Sequence, residues 1–99
     1  MAIQHTIQQA DSDYGVAFAN AYHRIITANV MRSEGTIKFE VTLDVVAYAS
    51  ASSIDPNTKD VKFQRFNVDL ATIEGTSGDD FLSKCYTWVM TQMAGSSAV

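Results

Sequence analysis

The chain is short of almost everything that marks a catalytic or a cross-linked protein. Among its 99 residues there is one cysteine and one proline. A lone Cys85 excludes an intrachain disulfide and any zinc site built on several thiolates. Charged residues make up only 18%, below the roughly 25% usual for globular domains. The seven basic residues are scattered, so no Lys/Arg-rich face for phosphates is expected, and nucleic acid is excluded as a partner. No stretch nears the roughly 20 apolar residues of a membrane span. Met1 to Gln9 lacks the basic region and apolar run of a signal peptide, and the expectation is a soluble chain made in a cytoplasm.

The motif inventory is equally thin. Gly75-Thr76-Ser77-Gly78 has no Lys to make it a phosphate loop, and neither G-x-S-x-G nor C-x-x-C occurs. Asp11 and Asp13 start like a calcium loop, but the Gly and Glu that complete one are missing, so a turn is expected. Asp55, Asn57 and Asp60 read as turn chemistry around Pro56. His5 and His23 stand 18 residues apart on different strands. A histidine can be a general base or a ligand, yet two sheet histidines without a recognised spacing read as structural. Cys85 falls on the apolar side of a helix and reads as core. The expectation is therefore a non-enzyme with no catalytic residue, cofactor, metal or small-molecule substrate.

What is present is hydrophobic patterning: 46% of residues are apolar, enough for one domain with a thin core. Ile3–Gln8 reads as a short edge strand, Ala10–Asp13 as a turn, and Tyr14–Phe18 as a short bulged strand. Ala21–Val30 alternates, and Arg32-Ser33-Glu34-Gly35 reads as the turn that follows. The strongest strand is Thr36–Ser50, with Ile37, Phe39, Val41, Leu43, Val45, Ala47 and Ala49 on one face and Lys38, Glu40, Thr42 and Asp44 on the other. From Val46 the second face turns apolar through Tyr48, so the far half of the strand is expected to be covered on both sides. Ala51–Asp60 is a hairpin loop. Val61–Asp69 returns as a strand whose apolar residues change face between Phe63 and Phe66, which suggests a bulge at Gln64–Arg65.

A helix is expected over Ser77–Ala94, capped by Ser77 with Asp80 and stopped by Gly95. Phe81, Leu82, Cys85, Tyr86, Trp88, Val89 and Met93 cover a face about 160° wide, with Trp88 expected to be buried at its middle. Such an arc either packs entirely on the sheet or leaves part for another subunit. The fold class that follows is α+β: an antiparallel sheet, meander- or sandwich-like, with one C-terminal amphipathic helix packed on it. One domain is expected over residues 1–94, with 95–99 as a frayed tail.

Self-association is the expected behaviour. The candidate interface residues are Ile3 and Ile7 on a presumed edge strand, Val46 and Tyr48 on the second face of the long strand, and Tyr86 and Met90 on the helix flank. Val46 is expected to tolerate a lysine that would disperse the assembly.

The order of these elements resembles that of small structural proteins of tailed bacteriophages. The residues carrying the likeness are Asn20-Ala21-Tyr22-His23-Arg24-Ile25 opening a strand, Val46-Ala47-Tyr48-Ala49-Ser50 closing the long one, Phe63 and Phe66 on the return strand, and Asp80-Phe81 through Cys85-Tyr86-Thr87-Trp88 in the closing helix. The resemblance implies a virion component, associated with tail, baseplate or fibre, made in the host cytoplasm. It implies a homo-oligomer that also binds larger virion proteins. A capsid decoration protein and a small acidic inhibitor of a host or phage enzyme share this composition; an inhibitor would cluster its carboxylates, whereas these spread from Asp11 to Asp80.

Overall fold

A computed structural model describes residues 2–12, 14–32, 38–49 and 60–99. The elements are β1 (Ile3–Ile7), a 3-10 turn (Gln9–Asp11), β2 (Phe18–Arg32), β3 (Phe39–Tyr48), β4 (Lys62–Asp69), α1 (Leu70–Glu74), α2 (Phe81–Gln92) and β5 (Ser97–Ala98). The strands form one open antiparallel sheet in the order β4-β3-β2-β1-β5, with the helices near the C-terminus. This is the α+β class expected. The readings at Asp13, Ser33–Gly35 and Asp55-Pro56-Asn57 lie outside the described residues.

The period-two pattern of β3 places its faces as read. Val41, Leu43, Val45 and Ala47 are buried, and the first three join Ile3, Val68, Ile73, Cys85, Tyr86, Val89 and Met93 in the main core. A smaller cluster of Ile7, Ala21 and Ala47 lies at the other end of the sheet, with Phe18 and Val61 against it. Burying one fully enclosed aliphatic side chain contributes about 1.5–3 kcal/mol, so these two clusters carry most of the apolar stabilisation.

Five local expectations need correction. First, Tyr14–Phe18 is not a separate strand; β2 starts at Phe18 and runs unbroken to Arg32. It absorbs irregularity instead of ending: Asn20 takes a left-handed φ of 50°, where the β1–β2 register slips between His5 and Ile7. Asn is one of the few side chains that tolerates this conformation. Second, β4 has no bulge at Gln64–Arg65, and its register with β3 is continuous from Lys62 to Asp69. Phe63 simply points to the helix-free face, half exposed, with the Arg65 guanidinium 6.0 Å from its ring centre. The bulge is in β2, where Ile26 is the extra residue between the pairs Ile25–Val45 and Thr27–Asp44.

Third, a short helix, α1, follows β4 directly and buries Ile73. Fourth, α2 starts later than expected. Asp80, not Ser77, is its N-cap, its carboxylate accepting the Ser83 amide at 2.8 Å. Gly78 lies so close to the helix that an added Cβ would stand 2.7 Å from Lys84 N. Fifth, Gly95–Val99 does not fray. Gly95 adopts a left-handed φ of 84° that only glycine reaches cheaply, and the chain turns back so that Ser97 and Ala98 pair with Gln4 and Ile3. Ala2 and Val99 exchange backbone hydrogen bonds of 3.2 and 3.0 Å, closing the two ends together.

Candidate functional site

β2 changes neighbours along its length. Phe18–His23 pairs with β1, while Tyr22–Arg32 pairs with β3. On the edge where β1 lies, the stretch Arg24–Arg32 therefore has no strand beside it among the described residues. Its apolar side chains are open: Ile26 is 54% exposed, Val30 46% and Met31 56%. A sheet edge with unpaired backbone groups and exposed apolar side chains is a template for another strand. At the start of this stretch the Tyr86 Oη accepts the Ile25 amide at 3.0 Å, so α2 blunts the edge at the bulge and leaves the remainder uncovered.

Four of the six candidate interface residues are buried within the chain. Ile3, Ile7, Val46 and Tyr86 are all less than 7% exposed; Tyr48 and Met90 are half-buried. β5 flanks β1 only at Ile3 and Gln4, so Ile3 is not at an edge, and the side chains of Ile3 and Ile7 fill the two cores. Tyr86 spends its hydroxyl on β2. Val46 does lie on the helix-free face, level with Arg24 and Phe63, but it is buried within the chain. A lysine there would carry its charge into a buried position, so it cannot serve as a neutral dispersing change.

Beside Val46 the helix-free face is polar and internally matched. Arg65 Nε donates to Asp44 at 2.7 Å and Thr42 to Asn67 at 2.9 Å across β3–β4. The Arg65 hydrogen bond holds the Asp44 carboxyl below its ordinary range.

The second feature is a cleft of about 260 Å³ lined by His5, Asp11, His23, Lys62, Gln64 and Gln92 among others. The register brings the two histidines together: His23 pairs with Ile3 and His5 with Ala21, and the rings stand edge to face at 6.0 Å. His23 is 2% exposed, and its Nδ1 hydrogen-bonds the Ala21 carbonyl at 2.9 Å. Burial pushes its pKa below 6.5, with the nearby His5 and Lys62 acting in the same direction. His5 Nε2 hydrogen-bonds the Ala94 carbonyl at 3.0 Å, just past α2. The enclosed His23 ring therefore engages a carbonyl of its own strand, while His5 ties β1 to the segment after α2. Among the described residues no group of three or more His, Cys, Asp or Glu side chains converges to hold a metal. Cys85 is buried in the core and burial pushes its thiol pKa up, the opposite of activation.

The open β2 edge is the candidate contact surface that residue-by-residue reading missed. Its signal was a mismatch of lengths, a short strand at Ile3–Gln8 against a long alternating one, which leaves part of the longer edge uncovered. No family model, curated protein or solved structure matches the chain.

Proposed function

We propose that this chain is a non-enzymatic structural component of a bacteriophage virion, associated with tail, baseplate or fibre, that works through contacts with copies of itself and with larger virion proteins. The observation that supports this most is the open β2 edge, where Ile26, Val30 and Met31 stand exposed on a strand whose backbone is otherwise anchored by β3. Edge strands of this kind give affinity through main-chain hydrogen bonds and selectivity through alternate side chains. The sparse charge leaves little to repel a neighbour. The virion setting comes from the resemblance in element order to small tailed-phage proteins.

The test is incorporation. Mass spectrometry of purified virions of the encoding phage is expected to find the chain in many copies. An Ile26→Lys/Met31→Lys variant, which places edge charges where natural sheets use them to refuse partners, is expected to fold normally and to be depleted from virions by about tenfold or more, an equilibrium shift of about 1.4 kcal/mol. Absence of the wild-type chain from virions overturns the virion assignment. Normal incorporation of the variant overturns the role of the edge.

A further inference from the structure

We infer that the occupant of the open β2 edge is the same edge of a second copy, paired antiparallel about a two-fold axis beside Ala28, so that two five-stranded sheets become one. This rests on the edge being a contact surface, as proposed above, and adds which partner fills it and in what register.

The outer edge of β2 is a step. β1 occupies it along Phe18–His23 and leaves it without a described strand along Arg24–Arg32, where the Tyr86 hydroxyl holds the Ile25 amide. A two-fold axis normal to the sheet at the middle of the open part lays each copy's projecting half into the other's notch. Each strand end then abuts the start of the other copy's β1. A step is its own complement under that operation, which is the property an isologous interface requires. Of the outer strands of the sheet, β5 is only two residues long, and β4 is a poorer occupant. β2 and β4 both run antiparallel to β3, so joining β4 of one copy to β2 of the next with the helices on one side gives a parallel ladder, the less stable pairing.

Side chains agree with the two-fold register. Ala28 is level with Leu43 on the helix face, and Thr27 and Asn29 are level with Asp44 and Thr42 on the other. Pairing Ala28 with Ala28 and Thr27 with Asn29 therefore keeps these residues on their own faces, with the smallest side chain at the axis. Ile26 of each copy comes beside Val30 of the other, covering two of the exposed apolar groups. Like charges do not collide: Arg24 is level with Val46 and Arg32 with Phe39, on opposite faces of β3.

Cross-linking tests the register directly. A Thr27→Cys chain is mixed with a size-tagged Asn29→Cys chain under mild oxidation. Side chains directly opposite in an antiparallel pair have Cβ atoms about 4.5–5.5 Å apart, close to disulfide geometry. The mixed disulfide is expected to form at least about tenfold faster than with an Asn67→Cys control on β4, an effective barrier difference of about 1.4 kcal/mol. The buried Cys85 supplies an internal blank. Circular dichroism melts check that each variant folds, and sedimentation of the wild type supplies a measurement free of substitutions. Dimers by sedimentation without the 27–29 cross-link overturn this inference and leave the structural role standing. A monomer across the micromolar range also overturns it, while virion incorporation then decides the wider proposal separately.

Discussion

The two ends of β2 share one pleat and one alternation but not one environment. Around Ala21 and His23 the strand is enclosed: Ala21 is 0% exposed and His23 2%, with β1 alongside and the close of α2 above. From Ile26 onward the same strand keeps β3 on one side and nothing described on the other, and Ile26, Val30 and Met31 are about half exposed. The composition barely changes between the two; the neighbours do. An apolar residue in a strand is thus core or contact surface according to how long the adjacent strand is, which is a property of the pairing and not of the residue.

Truncation at matched sites is the sharpest way to break that comparison. Ile3 is wholly buried on β1, beside the enclosed end. Ile3→Ala is expected to cost about 2–5 kcal/mol, a large share of the stability of so small a domain. Val30→Ala, at the open end, is expected to change stability by less than about 0.5 kcal/mol. Urea denaturation of dilute protein measures both. Similar losses at the two sites would mean that the open end is as well packed as the closed one.

The junction gives a smaller effect. Tyr86→Phe keeps the ring in the core and removes only the hydroxyl that accepts the Ile25 amide. The expected loss is about 0.5–1.5 kcal/mol, together with faster hydrogen exchange at Ile25 and its open-edge neighbours and little change around Ala21. An Ile25 amide that exchanges as slowly in the variant would show that the hydroxyl does not protect this end of the strand.

The class of fold was legible because it rests on periodicity. The β3 pattern from Val41 to Ala47 and, from the helix arc, Cys85, Tyr86, Val89 and Met93 ended where the spacing put them, whereas Phe81 and Leu82 of the same arc are 37% and 47% exposed. What was not legible depends on partners. Phe63 suggested a bulge because a large aromatic was assigned to the core, whereas it lies open beside Arg65. Val46 was read as an interface residue because the second face of the strand turns apolar there, yet it is 6% exposed within the chain itself. Trp88, expected to be buried, is half-buried and meets Phe66 edge to face at 5.8 Å. The C-terminal strand was missed because two small residues carry no periodic signal; Gly95 was the one hint that the chain reverses. The His5–His23 contact could not be seen at 18 residues' separation without the β1–β2 register.

The enclosed end also carries a pH dependence that the open end lacks. His23 is held neutral by burial, and His5 and Lys62 face it with charge that further opposes protonation, so its folded pKa is below 6.5. Above pH 6.5 the ring is neutral in both folded and unfolded chains and contributes no slope. Between 6.5 and the lower folded value the unfolded chain binds more protons, so stability falls as the pH drops through that window. Asp44 and Asp80, both with pKa values depressed below 3.8, hold their contributions above 3.8 and lose them only in more acidic solution, so the two effects separate. Denaturation of wild type between pH 7.5 and 4.5 is expected to show the decline, and His23→Gln is expected to flatten it even where the substitution lowers stability throughout. Hydrogen exchange along β2 supplies the comparison, with protection at Ala21 and Tyr22 falling with pH more steeply than at Asn29 and Val30. A decline that survives His23→Gln would assign the sensitivity to another group and leave the enclosed end electrostatically no different from the open one.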